Sequence, residues 1–201
     1  MKLLIELFRH DRRAQIGGAI VALALVLAMI ASFSKHDVRR IIALQKDLPP
    51  SREHILGTNS MGQDVFFLAA HGIKNSYVLG ILTGLWAVAI GVPIGLLAGY
   101  KGGIIDRILM SLNDVFLTIP SLPIIMLLGF IFKETMNIFL LSIMISLFCW
   151  PWISRQVRSE ILSLRERDFT STAVFSGMNT FEITTKQHFP FVIPFIIAHF
   201  I

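Results

Sequence analysis

Four windows free of Asp, Glu, Lys and Arg dominate this sequence: Ala14–Ser34, Asn75–Tyr100, Val115–Phe132 and Thr135–Ser154. A helix rises about 1.5 Å per residue, so roughly 20 residues cross the hydrocarbon core of a bilayer, which is the length of each window. A basic or acidic side chain at mid-membrane costs about 2.5–3.5 kcal/mol, which is the physical reason for clean windows bounded by charge. Charged residues make up only 15% of the 201-residue chain and apolar residues 54%. Four helices buried on all sides of a soluble core need far more surrounding chain than this. The sequence therefore reads as an all-α membrane protein with four full spans. A further apolar run, Phe189–Ile201, is too short to cross and reads as the start of a fifth span. The first window is longer than the apolar part of a signal peptide and no small-residue cleavage site follows it, so it reads as a retained anchor.

The domain reading follows the windows: a polar, basic N-terminus over 1–13, span one over 14–34, a loop over 35–74, and a membrane domain over 75–201. Lys2, Arg9, Arg12 and Arg13 precede span one, and Arg155, Arg158, Arg165, Arg167 and Lys186 follow span four. This distribution favours an N-terminus inside by the positive-inside rule, although Lys35, Arg39 and Arg40 oppose it. Prolines at 93, 120, 123, 151, 190 and 194 punctuate the spans and predict kinks. Gly91, Gly95 and Gly99 recur every fourth residue; this is the spacing of a close helix–helix approach, or ordinary glycine enrichment in membrane helices.

The most polar segment of the second half is RERDFTSTAVFSGMNTFEITTKQHFP, residues 165–190. A short helix is predicted over Asp168–Ser176, with Leu162, Phe169 and Ala173 on one face. Gly177 suits its C-terminus, where a left-handed residue is needed. Asn179 and Glu182 have capping-box spacing for a second helix. Two short helices then meet at a sharp bend. Phe169, Val174, Phe175, Met178 and Phe181 need a partner surface, which is either a groove on another protein or the bilayer and neighbouring spans.

This patch resembles the coupling loop of binding-protein-dependent ABC transporter permeases, in which an E-A-A element is followed by a glycine and then by Ile/Leu-Pro. Ala173, Gly177 and Phe189-Pro190 fall at the matching places, while Ser171-Thr172 replace the leading Glu-Ala. HILGTNSMGQDVF over 54–66 resembles the H-x-L-G-T-D-x-x-G-R-D signature of the dipeptide, oligopeptide and nickel branch, with Asn59 in place of Asp and Gln63 in place of Arg. GLLAGYKGGIIDRILMSLNDVFLTIPSLP resembles the same branch. The resemblance runs from about residue 8 to the end. It implies a permease subunit of an ATP-driven importer of peptides or a small solute such as nickel, in a prokaryotic cytoplasmic (inner) membrane, with a cytoplasmic N-terminus. The implied partners are a second, non-identical permease subunit, ABC ATPase subunits, an extracytoplasmic solute-binding protein and membrane lipid. Members of this branch usually have six spans, so the resemblance also implies a chain incomplete at its C-terminal end. It places ATPase docking on Asp168, Phe169, Ala173, Gly177 and Met178, and the extracytoplasmic signature on Gly57, Thr58, Asn59, Gly62 and Asp64.

Other chemistry is weakly signalled. There is no phosphate-cradling G-x-x-x-x-G-K-[ST], so ATP hydrolysis is expected of partner subunits and no cofactor is implied. His10, His36, His54, His71, His188 and His199 lack metal-ligand spacing, although His71 and Asp64 share the outer segment. No basic, aromatic-interleaved patch suggests nucleic acid. Cys149 lies in an apolar window as a packing residue. Asp114, at the foot of span three, is expected to pair with Arg107. Thr58 or Ser60 is expected to cap a helix beginning near Gly62. A secondary transporter or channel subunit, which would show internal repeats and mid-span ionisable groups, is the alternative function. An intramembrane enzyme, with paired catalytic groups in its spans, is a third.

Overall fold

The computed structural model describes residues 12–34 and 45–198. The basic N-terminal residues Lys2 and Arg9, the loop residues Lys35, Arg39 and Arg40, and His10, His36 and His199 lie outside these. Among the described residues the regular structure is helical: α1 (Arg12–Phe33), α2 (Val65–Lys101), α3 (Gly103–Thr118), α4 (Ser121–Ile131), α5 (Ile138–Arg165), α6 (Asp168–Phe175), α7 (Thr180–Glu182), a π-helical turn over Ile183–His188, and α8 (Phe189–Ala198). The chain forms two compact units, which divide after Val78, inside α2.

In the first unit, α1 leaves its apolar side chains uncovered: Ile16, Ile20, Leu23, Val26 and Met29 are all at least half exposed. Ala31 is the buried residue of this helix; apolar side chains left facing outward on most sides are what lipid requires and water rejects. α1, α2 and α5 are long and apolar enough to cross a membrane, and α3 with α4 make a fourth crossing if the bent pair counts as one.

The second unit is organised on a seam between α2 and α5. A Cβ added at Gly91 would lie 2.7 Å from the Trp150 carbonyl oxygen; at Gly95, 2.6 Å from that of Ser154; at Gly99, 2.8 Å from Ile161 Cβ. The three glycines therefore form the groove into which the α5 backbone fits, which resolves the two readings of their spacing. Around the seam lies a core of Ala87, Val92, Trp150, Ile153, Val157, Ile161, Leu164 and Val192. Cys149 packs against its edge. Two buried serines of α5 close on nearby carbonyls, Ser142 Oγ donating to Phe139 O at 2.6 Å and Ser146 Oγ to Ile143 O at 2.8 Å, whereas Ser154 Oγ has no hydrogen-bond partner among the described residues. An unsatisfied hydroxyl in hydrocarbon costs several kcal/mol, on the order of 4–8 by alkane transfer, so this local bonding is what admits serine there.

The window 115–132 is not one straight span. α3 and α4 meet at an angle of 75°. Pro120 forces the residue before it out of the α region, and Ile119 adopts φ −75°, ψ 125°. α3 is also inverted relative to a soluble helix. Its buried residue is Asn113, whose Nδ2 donates to the Pro151 carbonyl at 3.1 Å, while Ile104, Ile108, Leu112 and Val115 face outward.

Two ion pairs tie α3 to α5. Arg158 holds Asp106 through Nε at 2.5 Å and Nη2 at 2.6 Å. Arg155 holds Asp114. The expected partner of Asp114, Arg107, is displaced because α3 turns its polar face to α5, where Arg155 sits opposite. Arg155 and Arg158 are thus cross-links as well as the basic residues at the foot of a span.

Candidate functional site

The 165–190 segment has the architecture its sequence implies. α6 starts at Asp168 and ends in a complete C-cap: Met178 N–H donates to Ala173 O at 3.1 Å and Gly177 N–H to Val174 O at 3.0 Å, with Gly177 at φ +79°. These are the two crossed bonds of a Schellman motif, and only glycine takes that φ without strain. Two residues later Glu182 N–H donates to Asn179 Oδ1 at 2.9 Å and Asn179 N–H to Glu182 Oε2 at 3.2 Å. The Asn179 amide and then Lys186 hold the Glu182 carboxyl below the usual carboxylate range. The bend between α6 and α7 is therefore closed on both sides by hydrogen bonds local in sequence, and behaves as a stiff elbow.

The elbow has an inner and an outer face. Ala173 and Thr170 are buried; Phe169 is half-buried and stacks on Phe191 at 5.6 Å between ring centroids. Phe175 is 90% exposed, and Val174 and Phe181 are more than half exposed. Of the five residues assigned to docking by resemblance, Asp168 and Gly177 are exposed, Met178 is intermediate, and Phe169 and Ala173 point into their own chain. The apolar side chains left without cover are Val174, Phe175 and Phe181, all flagged in the sequence as needing a partner surface.

Beneath the elbow lies a cleft of about 420 Å³ lined by Tyr100, Lys101, Arg165, Thr170, Ser171, Val174 and Phe175. Arg165 Nη1 reaches across to donate to the Tyr100 carbonyl at 3.2 Å. A cation on the last carbonyls of α2 satisfies groups that the helix leaves open and opposes its dipole.

A π turn over Ile183–His188 joins the elbow to α8, with Phe189 N–H donating to Thr184 O. Pro190 supplies no N–H to the Lys186 carbonyl and its ring crowds that group, so the α-type ladder is interrupted just ahead of α8, where the wider turn lies. His188, on this turn, is fully buried and bonds Thr170 at 2.9 Å. Sequence reading missed this contact because the two residues are too far apart for any local spacing rule.

In the first unit the signature segment folds into a knot around Thr58 and Asp64. Leu48 N–H donates to Thr58 Oγ1 at 2.9 Å, and that hydroxyl donates to Gln45 O. Thr58 therefore pins a loop rather than capping a helix. The helix starts at Val65, later than Gly62, and its cap is Asp64, whose Oδ1 accepts from Phe66 N–H at 2.9 Å and Phe67 N–H at 3.2 Å. Asp64 Oδ2 meets His54 Nδ1 at 2.8 Å, so its histidine partner is His54 and not His71. Burial raises the Asp64 pKa, but the His54 contact and the two amides outweigh it, and the net shift is downward. Gly57, at φ +72°, leaves no room for a side chain: a Cβ would sit 2.4 Å from Leu48 O. Gly62 also takes positive φ, at +75°. Asn59 accepts from Met61 and Gln63 amides through Oδ1, and its Nδ2 donates to Gln63 Oε1 at 2.9 Å. The two departures from the signature, Asn59 and Gln63, are thus in contact, a neutral amide pair where the signature carries Asp and Arg.

Taken together, the apolar helices and the polar elbow between two of them, with Val174, Phe175 and Phe181 uncovered, define a multi-pass membrane protein. Residues 91–201 match the model of the family described as binding-protein-dependent transport system inner membrane component. The chain is 29% identical over 91% of its length to the oligopeptide transport system permease protein OppC of Bacillus subtilis (strain 168), covering 60% of that protein. It is 31% identical over 90% of its length to the dipeptide transport system permease protein DppC of the same strain, covering 57%. It is 32% identical over 90% of its length to the nickel transport system permease protein NikC of Escherichia coli (strain K12), covering 65%. The chain belongs to the binding-protein-dependent transport system inner membrane component family, and spans about 60% of the length of the first of these relatives.

Proposed function

We propose that this chain is a permease subunit of an ATP-driven importer of peptides, or of a related small solute such as nickel, with the 165–190 elbow seated in a groove on an ABC ATPase. The supporting observation is Phe175, 90% exposed on a helix whose opposite face, Ala173 and Thr170, is buried. A stiff element with an uncovered aromatic tip suits force transmission, because a push on α6 passes through the Gly177 bend and the π turn to α8, and through Arg165 to α2. On this reading the elbow and the N-terminus face the cytoplasm, and the 45–64 knot faces a solute-binding protein outside. The membrane is the prokaryotic inner membrane. A second permease subunit completes the pathway against the outward residues of α3 and α4. ATP is hydrolysed by the partner subunits, and this subunit is non-catalytic.

The test is co-purification of the chain with ABC ATPase subunits of the same organism, for the wild type and Phe175→Asp. Burying a Phe side chain contributes about 1.5–3 kcal/mol, so losing it predicts roughly 10- to 100-fold weaker association. The thermal stability of the membrane subunit should be unchanged, because Phe175 packs on little of its own chain. Unaltered ATPase binding by Phe175→Asp, or modification of a cysteine at 175 by an impermeant reagent applied outside intact cells, would overturn the reading.

A further inference from the structure

We propose that His188 is a positioning residue that latches the elbow: as the neutral Nε2–H tautomer it donates to Thr170 Oγ1 and fixes α6 against the root of α8. This rests on the reading of α6 as the docking helix. The direction of the bonds follows from counting protons. Thr170 Oγ1 lies 2.7 Å from the Leu164 carbonyl oxygen, which can only accept. The single hydroxyl proton is committed there, so the 2.9 Å contact with His188 Nε2 requires the proton to be on the imidazole. A chain then runs from His188 through Thr170 to Leu164, joining the π turn, α6 and the end of α5. The ring is fully buried, with Tyr100 at 5.7 Å and Phe169 at 6.2 Å between centroids. Its Nδ1 has no hydrogen-bond partner among the described residues.

This arrangement makes the latch sensitive to acid. A second proton must go on Nδ1, where it would add a charge and an unmatched donor to an enclosed site. The titratable groups on the surrounding elements are Tyr100 and Lys101 at the end of α2, Arg165, Glu166 and Arg167 at the end of α5, and Asp168 on α6. Glu182 and Lys186 lie on the same arm as His188, and α8 carries none between Phe189 and Ala198. Burial holds the His188 pKa below its ordinary 6.5. The sign follows: the latch is at full strength above that value and weakens as pH falls from it toward the lowered folded pKa.

Three substitutions test this. Glutamine places an N–H donor near the position of Nε2; asparagine places it near Nδ1 and falls short of Thr170; Thr170→Val removes the acceptor. The ¹⁵N spectrum of the full chain in lipid nanodiscs at pH 7.5 should show His188 as the Nε2–H tautomer. Amide exchange across α6 should rise at least several-fold in His188→Asn and Thr170→Val, and stay near wild type in His188→Gln. Acidification should speed exchange in wild type but not in His188→Gln. With the ATPases bound, ATP consumed per solute moved should rise in His188→Asn and be restored in His188→Gln. An Nδ1–H tautomer or an imidazolium at pH 7.5 overturns the proposal, as does equal behaviour of the glutamine and asparagine variants. The spectrum and the exchange data need no ATPase, so they decide the latch even if co-purification refutes the docking reading.

Discussion

Replacing Gly95 by alanine tests whether the α2–α5 seam holds the second unit together. The new methyl carbon would lie 2.6 Å from the Ser154 carbonyl oxygen and 2.7 Å from Val157 Cβ, against 3.4–4 Å for ordinary contact. The two helices must separate locally by about 0.8 Å, and a gap of that order forfeits roughly a quarter to a half of the dispersion attraction of each atom pair along it. Neither atom can move aside cheaply, because one is backbone and the other sits at the root of a branched side chain. Overpacking of this kind costs about 1–3 kcal/mol. Gly80→Ala is the matched control: it lies in the same helix with nothing within 4 Å of its added Cβ. It should gain up to about 1 kcal/mol of helix propensity. Thermal unfolding in detergent, followed by tryptophan fluorescence, should place Gly95→Ala below Gly80→Ala by about 3–10 °C, at roughly 2–4 °C per kcal/mol for a chain of this size. Equal midpoints for the two variants would show that the seam is not a structural contact.

Asp106→Asn removes the two-point pairing with Arg158, which, partly exposed, should cost about 1–2 kcal/mol. Thermal unfolding in detergent should show this loss, and Arg158→Gln added to Asp106→Asn should cost little more; full additivity of the two would remove the pair from the account. At the amide pair, Asn59→Asp alone and Gln63→Arg alone should each destabilise the 45–64 knot by about 0.5–1 kcal/mol, and the double variant should recover most of it. Limited proteolysis of the four proteins measures the coupling, and strict additivity would refute it.

The elbow was legible from residues 165–190 because its determinants are local. The Gly177 cap and the Asn179–Glu182 box each close within a few residues, so spacing alone predicts them. The apolar windows were legible for a related reason: lipid acts on every residue of a span, and its demand is written as an absence of charge. Pro120 announced a kink but not its 75° size, which depends on what α4 packs against. Sequence points Asp114 to Arg107 because it offers neighbours on one helix, whereas the pair is made across helices with Arg155. Thr58 and Ser60 read as candidate caps because they precede a helix start near Gly62, but the helix begins at Val65 and Asp64 caps it through Oδ1.

By itself the sequence determined that this chain is a bundle of membrane helices with a polar bend between its last long apolar run and the short one that follows, because helix length, capping and solvent preference act over a few residues at a time. The tertiary structure alone decided which faces meet: the glycine groove of α2 on α5, the arginines of α5 on the aspartates of α3, and His188 on Thr170. Those contacts join residues far apart along the chain. Their free energy appears only when the chain closes on itself, so no local pattern records it.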